Sequence, residues 1–160
     1  QNHVIIMEAT WDPVDLPNPQ EYGWENVMYE YHHYCWGDYD NVNGSQVNDI
    51  KGRLNDIRKA DYNVPGYLGE FTFFNNLTAW EKALALVDDT GMSWTNWTYK
   101  TTEGNGYWGI RSQKNGRLNL ETAGLEEIRE AWSEVDQSSE HLGLRLVLEK
   151  FYKRVYIPVQ

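Results

Sequence analysis

The chain has 160 residues, and its 14 Lys and Arg against 24 Asp and Glu give a formal net charge of −10 at pH 7. Nucleic acids and anionic membranes are therefore unfavourable partners, because their phosphate groups carry charge of the same sign. No apolar run reaches the ~20 residues of a membrane-spanning helix, and the single cysteine, Cys35, cannot form an internal disulfide.

Four segments have the composition of buried strands, because they are rich in β-branched and aromatic residues and are bounded by turn residues. They are residues 3–8, 27–34, 66–73 and 92–99. The first contains a continuous apolar run, which predicts a strand that is covered on both faces.

Helices are predicted between and after these strands. Ser45 is expected to cap a helix that runs to about Ala60, and Thr78 to open a second helix that runs to about Asp88. Apolar residues at helical spacing mark two more helices, the first at Leu125, Ile128 and Trp132 and the last at Leu144, Leu148, Phe151 and Val155, before Pro158. Three prolines in residues 11–26 predict a long loop there.

Strands that alternate with helices indicate a parallel sheet within one domain. The predicted strands begin about 30 residues apart, which is close to the repeat of an eight-stranded β/α barrel. Residues 1–160 are therefore interpreted as half of a (β/α)8 TIM barrel, an α/β fold. An open doubly wound sheet is the alternative, but its glycine-rich turn is absent after Glu8.

In a β/α barrel the catalytic groups lie at the carboxyl ends of the strands. This rule selects Glu8, His32 with Tyr34, Glu70 and Trp97. Glu70 stands among apolar and aromatic residues, where a carboxylate is costly to bury unless it is paired or used. His32 and Tyr34 are two residues apart and share one strand face, so the Tyr34 hydroxyl can bond a neighbouring carboxylate and hold it ionised.

Each candidate also has a structural interpretation. Glu70 fits a salt-bridged or rim-exposed glutamate, and His32 with Tyr34 fits a pair of satisfied polar groups in an aromatic core. We favour a structural role for Glu8, paired with a His or Arg of a neighbouring strand, and for His33.

A metal site at the second strand is a further alternative. Its ligands would be His32, His33, Cys35 and Asp38. Adjacent histidines on a strand face opposite sides, so we expect no metal site and no cofactor.

Aromatic residues make up 14% of the chain, including 8 Trp and 11 Tyr. Their flat apolar faces and polar edges suit a buried core, and they equally suit the binding of sugar rings. Those that follow strands, or lie in the glycine-containing loop 101–109, are candidates for a substrate-binding rim. The aromatic rim candidates are Trp11, Trp24, Trp36, Trp97, Tyr107 and Trp108. Lys100, shortly after Trp97, is a further candidate.

In order and spacing, the segments NHVIIME, YEYHHY, GYLGEF and SWTNWTYK resemble the second half of glycoside hydrolase family 5. This is a family of retaining β-glycosidases on an eight-stranded β/α barrel. The resemblance implies that His32 and Tyr34 form the family's His-x-Tyr motif. It also implies that Glu70 of Gly-Glu-Phe is the nucleophile and that Trp97 stacks on the substrate. The implied reaction is hydrolysis of a plant β-glycan, most often cellulose-type β-1,4-glucan.

The chain departs from the family at the acid/base. The family uses the glutamate of an Asn-Glu pair on the fourth strand, whereas this chain begins at the fifth and contains no Asn-Glu dipeptide. We therefore expect the acid/base to come from outside the chain. Four strands would also leave two open sheet edges, so we expect a complementary amino-terminal half-barrel or self-association.

Two other functions stay open. One is a non-catalytic half-barrel that at most binds carbohydrate. The other is an α/β binding domain unrelated to sugars, in which Tyr34 and Glu70 would not approach each other. Because polysaccharides lie outside cells, the glycanase interpretation implies a secreted protein. Residues 1–3 show no signal-peptide pattern, which leaves a removed or an upstream signal open.

Overall fold

A computed structural model of the chain describes residues 3–9, 12, 15–102, 106–113, 118–135 and 138–152. The strands in these ranges are β1 (Ile5–Glu8), β2 (Val27–His33), β3 (Gly66–Phe71), β4 (Ser93–Trp94), β5 (Lys100–Thr102), β6 (Arg111–Gln113) and β7 (Ser138–Glu140). The α-helices are α1 (Ser45–Ala60), α2 (Leu77–Asp88), α3 (Leu125–Val135) and α4 (Leu142–Phe151). Short 3-10 turns cover Pro19–Tyr22 and Gly106–Trp108.

The first four strands form one sheet in the order β1-β2-β3-β4, and every neighbouring pair is parallel. Helix α1 connects β2 to β3, and α2 connects β3 to β4. The predicted α/β architecture, with four parallel strands in sequence order, is therefore confirmed.

The two faces of the sheet have different surroundings, as the alternation of residues in β2 shows. Tyr29, Tyr31 and His33 are buried, whereas the residues between them are only half-buried. Tyr29 and Tyr31 pack in one core with apolar side chains of α1, α2 and α4, including Ile50, Trp80, Leu84 and Leu144. His33 lies beside Asp49 of α1. We call this the helix face and the opposite side the open face. A doubly wound sheet would carry helices on both faces, whereas this core joins three helices to one face of the sheet.

Strand β1 differs from its prediction. Val4, Ile5 and Ile6 are 62%, 54% and 52% exposed, so the strand is not covered on both faces. Strand β1 is also an edge strand, paired on one side with β2. Of its four residues, Met7 packs against the core.

Both predicted helix caps are wrong, although α1 has the predicted bounds. The carboxylate of Asp38 accepts the Ser45 N–H at 3.0 Å, and the residue before α1 is Gly44 with φ of 74°. Helix α2 is capped by Asn76, whose Oδ1 accepts the Ala79 N–H at 2.9 Å. In each case an earlier Asp or Asn side chain reaches the first turn.

The third and fourth strands are shorter than predicted. Strand β3 ends at Phe71, and β4 contains two residues. Parallel pairing nevertheless continues, because Thr95 N–H donates to the Leu68 carbonyl at 2.9 Å and Trp97 N–H to the Phe71 carbonyl at 3.0 Å. This pairing brings Trp97 to the end of β3.

A second, three-stranded sheet was not predicted. Strand β5 is parallel to β6, and β6 is antiparallel to β7. Residues 101–102 of the predicted loop belong to β5, while residues 103–105 lie outside the described residues. In the described part of the chain, no helix is long and apolar enough to cross a membrane.

The remaining predicted elements agree with the structure where it describes them, except at the end of the last helix. Described residues 15–26 contain the turn Pro19–Tyr22 and no α-helix, as predicted for the proline-rich loop. Helix α3 begins at the predicted Leu125. Helix α4 contains the predicted Leu144, Leu148 and Phe151, but it ends at Phe151, before the predicted Val155, because the backbone of Tyr152 is extended. Trp11, Val155 and Pro158 lie outside the described residues.

Candidate active site

The candidate site lies where β1, β2 and β3 reach their carboxyl ends. Its position depends on a register shift between β2 and β3. Tyr31 pairs with Leu68, but His32 pairs with Glu70, so Gly69 is an extra residue in β3. The shift is a β-bulge, and it brings Glu70 directly opposite His32.

Tyr34 and Glu70 are in direct contact. The Tyr34 hydroxyl donates a hydrogen bond to Oε1 of Glu70. The Glu70 side chain is 27% exposed, so it is neither turned into bulk water nor enclosed by the helices. The pKa of Tyr34 is well above its ordinary value, first because burial disfavours the phenolate and second because Glu70 holds the proton and is itself negative. Tyr34 therefore acts as a hydrogen-bond donor.

His32 lies among three carboxylates on the open face. Its Nδ1 is 3.3 Å from Oε1 of Glu8 and 3.7 Å from Oε2 of Glu70, and its Nε2 is 3.4 Å from Oε1 of Glu30. The expected pairing of Glu8 with a neighbouring strand is thus a pairing with His32. Each carboxylate comes from a different strand.

Glu30 was not selected from the sequence. It was missed because it lies inside β2, two residues before the strand end that the barrel rule selects. Strand alternation is the signal that could have found it, since Glu30, His32 and Tyr34 are spaced two apart and share one face.

A cluster of aromatic rings continues the site beyond Tyr34. We call Tyr34, Trp36, Phe74 and Trp108 the aromatic cluster. The Tyr34 ring is stacked on Trp36 and on Trp108, with centroids 5.3 and 5.5 Å apart. Phe74 contacts both tryptophans. Trp36 is 58% exposed, so part of the cluster is available to a ligand.

The other predicted rim residues have different positions. Trp97 is 49% exposed and makes no ring contact with the aromatic cluster within the described structure. Backbone pairing brings it to Phe71, next to Glu70, and Thr98 N–H donates to the Trp108 carbonyl. Lys100 lies in β5 opposite Arg111, in the second sheet.

Two rim predictions are wrong. Trp24 stacks on Tyr22 just before β2, so it lies at the amino ends of the strands, because the loop after β1 has already crossed the sheet. Tyr107 packs against the core and makes an edge contact with His141.

The four metal-ligand candidates do not form one cluster. His32 faces the open side, whereas His33 lies under α1, with Nδ1 3.6 Å from Oδ2 of Asp49. Asp38 uses its carboxylate to accept backbone N–H groups before α1. No group of three or more possible ligands is assembled among the described residues.

Burial lowers the pKa of His33 to about 3, with a further contribution from the charge of Arg53.

A cavity of about 690 Å³ opens at the amino ends of β3 and β4, away from these residues. Its lining includes one carboxylate, that of Asp89, alongside Lys51 and Arg58. The cluster of His32 with three carboxylates lies instead at the carboxyl edge of the sheet.

Comparison with family models, with curated proteins and with solved structures found no match to this chain.

Proposed function

We propose that the chain is the carboxy-terminal half of a retaining β-glycanase on a TIM barrel, with an endo-β-1,4-glucanase-like reaction. The observation that supports this best is the hydrogen bond from Tyr34 to Glu70, beside His32 and at the carboxyl edge of a parallel sheet. Catalytic groups of β/α barrels occupy this edge. The resemblance of the strand motifs to glycoside hydrolase family 5 supports the same assignment.

In this proposal Glu70 is the nucleophile. Its carboxylate attacks the anomeric carbon, and the bond to the leaving oxygen breaks as an acid donates a proton to that oxygen. A water molecule, deprotonated by the same residue as base, then hydrolyses the glycosyl ester. Tyr34 holds Oε1 of Glu70, which leaves Oε2 for attack.

The acid/base has to lie about 5–5.5 Å from the nucleophile in a retaining enzyme. We assign it to a complementary amino-terminal half-barrel or to a second copy of this chain, which would also cover the exposed strand β1. The reaction needs carboxylates and water, and no cofactor enters the proposal.

Substrate binding is assigned to aromatic side chains around Glu70. Trp36, Trp97 and Trp108 offer flat surfaces to sugar rings, and His32 binds a sugar hydroxyl or orients the carboxylates. Lys100 of β5 is a further substrate-binding candidate in this proposal. A polysaccharide substrate would make this a secreted protein.

The nucleophile is tested by trapping the glycosyl ester. The chain, combined with the half that completes the barrel, is incubated with an activated 2-deoxy-2-fluoro-cellobioside, and its peptides are analysed by mass spectrometry. We expect the label on Glu70, no label in Glu70→Gln, and a fall of at least about 10³-fold in hydrolysis of soluble β-glucan by that variant. Glu81→Gln, a change of an exposed surface carboxylate, is the control and should label normally. A label on another residue, or near-normal turnover by Glu70→Gln, would overturn the assignment.

Carbohydrate binding without turnover is the second candidate function. It is favoured by the exposure of Trp36 and Trp97, which are 58% and 49% exposed. Binding of β-glucan without hydrolysis, both by the chain alone and after addition of the other half, would support this function instead.

A further inference from the structure

The extra residue of the β-bulge, Gly69, leaves a space that Glu30 fills. A Cβ atom built on Gly69 would lie 1.9 Å from Oε1 and 2.6 Å from Cδ of Glu30. Carbon and oxygen atoms that are not bonded cannot approach so closely. Any larger residue at position 69 would therefore displace the Glu30 carboxylate.

The carboxylate in that space faces one edge of the His32 ring. Oε1 of Glu30 is 3.4 Å from Nε2, while Nδ1 faces Glu8 and Glu70 on the other edge. Either nitrogen of an imidazole can take part in a polar contact. Carboxylates beside both edges of the ring therefore oppose its rotation.

Packing in the apolar core does not account for the presence of Glu30 at this position, because its side chain is 24% exposed. An acidic residue on a strand face beside two other carboxylates is also unfavourable on charge grounds, unless a polar group lies between them. The His32 ring lies between Glu30 and the other two carboxylates.

We propose that Glu30 is a positioning residue, which fixes the orientation of the His32 ring toward Glu8 and Glu70, and that Gly69 is required because its missing side chain admits Glu30. The effect on turnover rests on the proposed function, but the contact between Glu30 and His32 does not. Glu30 touches neither Glu70 nor a bound sugar in this assignment, and it acts through the imidazole.

The contact is tested by ¹⁵N NMR of the histidine-labelled chain itself, which needs no partner. The His32 ring signals are assigned by their loss in His32→Asn. We expect Glu30→Gln and Gly69→Ala to move the Nε2 signal of His32 in the same direction. Gly52→Ala is the control, because a Cβ at Gly52 meets no atom within 4 Å, and it should leave the signal unchanged. Unchanged signals in both site variants would overturn the proposal.

A double-mutant cycle tests the role of Gly69. Gly69→Ala should lower kcat/KM for soluble β-glucan about 10-fold in the wild-type background and less than about 2-fold in a Glu30→Ala background, since the displaced group is then absent. An equal loss in both backgrounds would show that Gly69 is needed only for the backbone conformation of the bulge and not for the space that Glu30 occupies. That result would overturn this part of the proposal. Shifted His32 signals without hydrolysis by any variant or the wild type would support the contact and overturn the proposed function instead.

Discussion

The Tyr34 hydroxyl and Oε1 of Glu70 are hydrogen-bonded across neighbouring parallel strands, although the residues are 36 positions apart in the sequence. Tyr34 directly follows β2, and Glu70 is next to the last residue of β3. The bond fixes one carboxylate oxygen and turns the other toward His32, 3.7 Å away. One phenol therefore sets the orientation of the proposed nucleophile.

Removal of this hydroxyl tests its importance. Tyr34→Phe keeps the ring that stacks on Trp36 and Trp108 but leaves Oε1 of Glu70 without its donor. Hydrogen bonds to charged groups contribute about 1.5–3 kcal/mol, so we expect kcat/KM on soluble β-glucan to fall by about 10- to 100-fold. Tyr39→Phe, which removes a hydroxyl from a ring that contacts Phe74, should change kcat/KM by less than about 2-fold. Equal activity of both variants would contradict the orienting role of Tyr34.

We expect a substitution in the aromatic cluster to weaken the binding of β-glucan. Trp36→Ala removes an exposed ring that stacks on Tyr34, and we expect KM for soluble β-glucan to rise by about 10-fold because stacking area is lost. Trp24→Ala is the matched control, since Trp24 is 38% exposed but lies at the amino ends of the strands. Affinity electrophoresis in β-glucan gels provides the same comparison without turnover. A larger effect of Trp24→Ala would contradict the position of the binding surface.

Because His33 is buried with a lowered pKa, we expect the free energy of unfolding to depend on pH. In the folded chain its pKa is about 3, whereas an unfolded histidine has a pKa of about 6.5. The unfolded state therefore binds the proton first, and the free energy of unfolding falls as the pH is lowered from 6.5 toward 3. The loss is on the order of 4 kcal/mol.

Urea unfolding of wild type and of His33→Gln between pH 7 and pH 3.5 checks this expectation. The variant has no imidazole to protonate, so its stability should depend less steeply on pH below 6.5. Parallel curves for the two proteins would show that His33 does not contribute to acid sensitivity.

The exposed strand β1 predicts association of the isolated chain. Ile5 and Ile6 lie on an edge strand and are more than half exposed, and such edges pair with other chains. Light scattering after size exclusion should give a mass above 18.8 kDa for the chain alone. Ile6→Lys should reduce this mass, because a charge on the edge opposes pairing. A stable, well-folded 18.8 kDa monomer would count against an incomplete barrel.

Residue patterns predicted the four-stranded sheet and a hydrogen bond from Tyr34 to a neighbouring carboxylate, which the structure identifies as Glu70. Strand alternation placed His32 and Tyr34 on one face, and strand order placed Glu70 on the neighbouring strand. These features depend on local period and on sequence order, which a single sequence contains.

Features that depend on register or on distant pairing were missed. The contact of Glu30 with His32 requires the bulge at Gly69, which shifts one strand by a residue. The second sheet joins Arg111 of β6 to Glu140 of β7 through short, polar strands with little periodic signal. The cap of α1 comes from Asp38, seven positions before Ser45, and its reach depends on how the loop folds.

Alternate residues of β2 serve different purposes, since one set stabilises the fold and the other set lies at the candidate site. Tyr29, Tyr31 and His33 face the helices and hold the chain together, whereas Glu30 and His32 face away from them and contribute little to that packing. Variants randomised only at the second set should therefore keep melting temperatures close to that of the wild type, while their ligand specificity changes. The same strand would keep the protein folded on one side and leave the other free to evolve.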